Sequence, residues 1–187
     1  MRTQRWMLLA ALGIAANAAA LDVAGISVAD TASVDGKPLV LNGAGLRKRM
    51  VFSIYVGSLY LPDKATTLNA VLAQAPRRIR LDVLRNLSAD QLIDALASGI
   101  RDNVPADAMS ALAVPLGEMA AIMKSLGQVR EGSFITLDFI DGATVVGVNG
   151  ELRGTIAGVA FNDALTKIWI GDHPVSRDLA KAMLGGA

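Results

Sequence analysis

The apolar and polar positions change period several times along the chain. In Leu21–Val28, Leu21, Val23, Gly25 and Ser27 alternate with Asp22, Ala24, Ile26 and Val28, a period of two that predicts one edge or half-buried strand. Asp35-Gly36 predicts a hairpin turn, and Asn42-Gly43-Ala44-Gly45 a tight, glycine-punctuated turn. Three cations follow, Arg47, Lys48 and Arg49, and then Met50–Leu61 runs as an unbroken strand up to Pro62. One face of that strand carries Met50, Phe52, Ile54, Val56 and Tyr60, and the other Val51, Tyr55, Leu59 and Leu61. Both are apolar, so the strand should be covered on both sides. Gly57 and Ser58 remove bulk mid-strand, which suits a bulge or the close approach of a ligand or helix.

Downstream, Ala65–Ala75 reads as a short helix stopped by Pro76. Arg77–Leu84 alternates as a strand with one wet face, its arginines 77, 78 and 80 solvated and Asp82 their partner. Ser88-Ala89-Asp90-Gln91 is a capping box, after which Leu92, Ile93, Leu96 and Ile100 recur at helical spacing. A second helical stretch covers Asp107–Leu126, with Pro115 and Gly117 expected to split it. Its methionines suit core filling. Ser133–Phe139, Ala143–Val148 and Glu151–Ala157 are strands joined by Asp141-Gly142 and Asn149-Gly150, the strongest turn signals present. Phe161–Trp169 is a helix closed by Gly171, and Ser176 caps a last helix through Met183, with Asp178 in its first turn. Hairpins, helices, a meander and closing helices make an α+β domain with a mainly antiparallel sheet and helices on one face.

The first twenty residues stand apart. Arg2 and Arg5 precede an apolar run, Trp6–Ala16, and Ala18-Ala19-Ala20 offers a small-residue cleavage site. This is the pattern of a bacterial signal peptide over residues 1–20, which leaves 21–187 as one domain and a periplasmic location for it. Removing Arg2 and Arg5 from the 18 basic residues leaves 16 against 17 acidic ones, a net charge of −1. That balance argues against a nucleic-acid partner. The chain has no cysteine and a single histidine, His173, which excludes thiolate and multi-histidine metal sites. No nucleophile motif such as G-x-S-x-G accompanies His173. The residues therefore point to no metal and no cofactor.

The best site candidate is Arg47 with Tyr55. An arginine fork can hold a carboxylate through two parallel charge-assisted bonds, and a tyrosine hydroxyl can add a third. Beside an apolar wall, such a pair would clamp the acidic end of an apolar ligand. Eight residues of straight strand span about 26 Å, so sharing one ligand requires Gly43–Met50 to turn back or bulge.

The ordered set Gly43-Ala44-Gly45-Leu46-Arg47, Tyr55–Leu61, Arg85-Asn86-Leu87-Ser88, Asn149-Gly150 with Phe161, and Ile170–Leu179 resembles the chalcone isomerase-like superfamily, in its bacterial secreted branch. The resemblance implies an open-faced β-sandwich, a large antiparallel sheet under a layer of helices with a ligand cleft between them. It also implies that Arg47 matches the arginine of the plant isomerases. Their helix tyrosine, lysine and asparagine fall at Leu92, Ala95 and Gly99, none of which carries a side-chain donor, and Ile168 replaces a threonine. No catalytic residue is assigned on this reading. The superfamily's fatty-acid-binding branch uses an arginine and a tyrosine from this region. This implies a binding protein for a fatty acid or similar amphiphilic carboxylate, with Arg47 and Tyr55 at the carboxylate and Leu92, Leu96, Val51 and Leu59 along the alkyl chain. The rival classes are an isomerase or lyase acting on a phenolic or enone substrate, and a protein–protein interaction module.

Overall fold

The structure, a computed structural model, describes residues 20–186; all of the proposed leader except Ala20 lies outside them. In chain order the elements are β1 (Ala20–Val23), β2 (Ile26–Ala29), β3 (Thr31–Val34), β4 (Lys37–Arg49), β5 (Phe52–Leu61), α1 (Leu68–Leu72), β6 (Arg77–Val83), β7 (Leu87–Ser88) and α2 (Ala89–Asn103). A 3₁₀ turn, Met109–Leu112, leads into α3 (Ala113–Leu126). Then come β8 (Gln128–Val129), β9 (Phe134–Ile140), β10 (Ala143–Val148), β11 (Glu151–Ala157), α4 (Val159–Ile170) and α5 (Arg177–Met183). Seven strands form one antiparallel sheet in the order β11-β10-β9-β6-β5-β4-β3.

The main core lies between this sheet and the helices, with Leu59, Ile79, Phe139, Ile156, Phe161, Leu165 and Met123 buried in it. A smaller core occupies the opposite face, where Val28, Leu39, Leu41, Val56 and Tyr60 pack together and the Tyr60 hydroxyl donates to the Ala29 carbonyl at 3.0 Å. Strand β5 is thus apolar on both faces because both are covered. The Asp35-Gly36, Asp141-Gly142 and Asn149-Gly150 turns all form, each with both residues at positive φ. The Ser88–Gln91 capping box closes α2 reciprocally, and Ser176 caps α5.

Five expectations are corrected. Leu21–Val28 is a two-strand hairpin, because Ala24 (φ 52°) and Gly25 (φ 81°) turn the chain. Asn42–Gly45 is strand rather than turn, and β4 runs through it. The strand beginning at Met50 instead begins at Phe52, since Met50 (φ 54°) and Val51 form the β4–β5 turn. The helical stretch after Asp107 breaks at Leu112 rather than at Pro115, which sits in the first turn of α3, where its missing N–H costs nothing. Arg77 is 4 % exposed rather than solvated. Strand parity places it with Ile79 toward the helices, whereas Arg78 and Arg80 face the other way.

Candidate functional site

The turn at Met50-Val51 folds β5 back on β4, so Arg47 and Tyr55 are direct cross-strand partners. The eight-residue separation therefore becomes one ladder step, whose paired Cα atoms lie about 4.5–5.5 Å apart. Ile54 is an extra residue between the Arg47–Tyr55 and Lys48–Ser53 pairs, a bulge of the kind that re-aims side chains.

Each partner is held. The Arg47 guanidinium donates one N–H to the Lys48 carbonyl at 2.6 Å and takes part in no ion pair among the described residues. The Tyr55 ring packs against the main core, and its hydroxyl accepts a hydrogen bond from the Trp169 indole N–H at 2.9 Å. Trp169 is itself buried near the end of α4. Burial raises the Tyr55 pKa above the ordinary phenol value, outweighing the opposing pull of the Trp169 bond and the Arg47 charge. The phenol is consequently neutral at physiological pH. With its oxygen accepting from Trp169, its own proton remains to donate. A cation next to an oriented neutral O–H has the chemistry to bind an anion.

Leu92 and Leu96, on α2, are partly buried and pack against the same main core as Tyr55. Leu59 is fully buried there. Val51 is 85 % exposed at the turn and lines no cleft, which corrects its expected place along the alkyl chain. Ala95 is exposed on α2. Gly99 is buried because α2 and α4 meet there: a Cβ at this position would lie 2.8 Å from Ile168 Cγ2.

The glycines before Arg47 serve packing. Gly43 and Gly45 lie under α5, where a Cβ on Gly45 would sit 2.7 Å from the Ala182 Cβ and 3.3 Å from Leu179 Cδ1. Gly57 faces Leu179 as well, and the Tyr55 ring bounds the same space. Of the two options for Gly57-Ser58, close approach of a helix is what the structure uses. Three surface depressions, of about 480, 460 and 260 Å³, lie elsewhere and do not include Arg47, Tyr55, Leu92 or Leu96 in their linings.

Two residues that hold this region together carried no signal in the sequence. Trp169 gave no signal beyond its place on an apolar helix face. Asn42, read as a turn residue, is a bulge residue whose buried side chain donates to the Ala65 carbonyl at 2.9 Å and the Met183 carbonyl at 2.7 Å, and accepts from the Ala65 N–H at 2.7 Å. It ties β4, the segment after β5 and the end of α5 together. His173, exposed, has its backbone N–H and C=O both bonded to the Asn103 side chain.

Residues 20–185 match the family model described as chalcone isomerase-like. Among solved structures, a fatty-acid binding protein of Arabidopsis thaliana is similar with a TM-score of 0.64 at 15 % identity, over 86 % of this chain and 92 % of its own. A comparison with curated proteins found no match.

Proposed function

The chain belongs to the chalcone isomerase-like family, and from that premise we propose that it is a periplasmic, non-catalytic binding protein for a fatty acid or a similar amphiphilic carboxylate. The observation that carries this reading is the cross-strand pairing of Arg47 with Tyr55, whose hydroxyl is oriented by Trp169. Arg47 supplies the charge and Tyr55 the neutral donor. The alkyl chain follows the partly buried apolar side chains Leu92 and Leu96 of α2, which pack against the main core. The fold is shared with a protein that binds fatty acids, which supports the ligand class. The absence of turnover is supported by α2, where hydrocarbon stands at Leu92 and Ala95 and where Ile168 leaves Gly99 no room for a side chain. Export rests on residues 1–20 and is tested by finding Leu21 at the amino terminus of the protein recovered from periplasm.

The binding test is displacement of a fluorescent long-chain fatty acid. Losing the Arg47 fork removes charge-assisted bonds of about 1.5–3 kcal/mol each, so Arg47→Ala weakens binding by about 100-fold or more. Tyr55→Phe removes one hydrogen bond to the ionised carboxylate, about 1.5 kcal/mol or more, so binding weakens roughly tenfold or more. Equal binding by wild type and Arg47→Ala refutes the site. Conversion of a chalcone by the wild type refutes the non-catalytic reading.

A further inference from the structure

The β4–β5 turn carries the most exposed run of large apolar side chains among the described residues. Met50 is 89 % exposed, Val51 85 % and Phe52 50 %. A monomeric surface rarely places three such residues together without a use for them. They are also ringed by cations. Lys48 and Arg49 immediately precede them and are exposed. Arg85, two residues past the end of the neighbouring strand β6, lays its guanidinium 4.1 Å above the Phe52 ring. None of Lys48, Arg49 and Arg85 takes part in an ion pair among the described residues. The core has no use for Met50, because its side chain points into solvent from a left-handed backbone position (φ 54°).

We infer that this hairpin tip docks the protein onto an anionic lipid bilayer, with Met50, Val51 and Phe52 entering the interface and Lys48, Arg49 and Arg85 engaging lipid phosphates. The charge pattern selects the partner. An apolar tip alone would suit neutral surfaces, and cations alone would suit any acidic body. A convex apolar point inside an unneutralised basic collar matches the layered chemistry of a bilayer, with phosphates above hydrocarbon. A protein partner is the poorer fit, since a stable interface buries about 800 Å² on each side, and a three-residue point cannot supply that. Long basic side chains can keep their charges at phosphate depth while their stems follow the inserted residues. The inference uses side chains other than Tyr55 and Arg47 and stands whether or not those two hold a carboxylate. If they do, the tip brings Arg47 and Tyr55 close to the surface from which acyl chains are drawn.

The test uses residues 20–187, the span that holds every element described and the family match. It omits the apolar leader, which would bind lipid by itself. Co-sedimentation is measured with phosphatidylcholine vesicles and with vesicles mixed with phosphatidylglycerol. Binding is expected to the mixed vesicles only, weakening with salt. Lys48→Gln with Arg49→Gln weakens it about 25-fold, at about fivefold per cation. Met50→Asn with Val51→Ser, which keeps the turn geometry and every charge, abolishes it. Both variants alter exposed side chains, and circular dichroism melting confirms the fold. Three results would overturn the inference: no binding by the wild type, undiminished binding by Met50→Asn/Val51→Ser, or retention on polyglutamate beads as tight as on vesicles. The last would assign the collar to an acidic protein.

Discussion

Gly43→Ala tests whether α5 is seated on β4 as described. The new methyl would overlap the Ala182 carbonyl oxygen outright and lie 3.0 Å from the Met183 oxygen. Both obstacles are backbone, so no side-chain rotation relieves them. If the helix shifts and stays docked, the cost is that of overpacking, about 1–3 kcal/mol, and a rigid neighbour puts it near the upper end. If the helix leaves, Leu179 and Met183 lose burial worth about 1.5–3 kcal/mol each, and the Asn42–Met183 hydrogen bond goes too, about 1 kcal/mol more. The shift is cheaper, so a loss of about 3 kcal/mol is expected. At about 2–4 °C per kcal/mol for a domain of this size, Tm falls by roughly 6–12 °C. Gly117→Ala is the control. It lies within α3 with nothing inside 4 Å of an added Cβ, and it should gain about 0.5–1 kcal/mol. Thermal and urea denaturation measure both. Trypsin adds a local readout, because Arg177 and Lys181 lie on α5 and loosening the helix should speed cleavage there. A Gly43→Ala protein as stable as wild type, or one damaged no more than Gly117→Ala, would refute the packing.

Two further outcomes are expected. The chain has two tyrosines, Tyr55 and Tyr60, and burial raises the pKa of both. At pH 10 the folded protein should therefore show less than half of full tyrosinate absorbance. Above about pH 10 the unfolded chain releases its phenolic protons first. Stability is thus undiminished below that pH and falls as pH rises beyond it. Half-ionisation at pH 10 without unfolding would contradict the burial. Arg77→Leu removes hydrogen bonds to the Gln74 carbonyl at 3.1 Å and to Asp163 at 3.0 Å, along with the stack on Phe139. Breaking a buried pair costs about 3–5 kcal/mol. Asp163 is 35 % exposed and regains water, so roughly 2–3 kcal/mol is expected by urea denaturation, and an unchanged midpoint would refute the packing role.

Much of the fold was legible because its turns carry explicit chemistry. Asp35-Gly36, Asp141-Gly142 and Asn149-Gly150 can take the positive φ values that tight hairpins need, and the Ser88 and Ser176 caps mark helix starts. The β4–β5 turn was missed because Met50-Val51 has no turn chemistry at all. An apolar residue is held there at φ 54° by the ladder on either side. The same omission made Arg47 and Tyr55 look far apart, so the two candidate residues were readable and their cross-strand pairing was not. Asn42 was misread because Gly43 and Gly45 follow it. Those glycines exist to admit α5, and a contact between residues 43 and 182 leaves no local trace. Arg77 was grouped with Arg78 and Arg80 by composition, although strand parity already set it apart.

The central claim is that Arg47 and Tyr55 hold a carboxylate whose tail lies against the core. Its most direct measurement is mass spectrometry of solvent extracts from protein purified without detergent, wild type beside Arg47→Ala. The account predicts a co-purifying acyl carboxylate in the wild type and its loss in the variant at unchanged Tm. Wild-type protein free of any acyl species, or an Arg47→Ala protein carrying as much as the wild type, would contradict it.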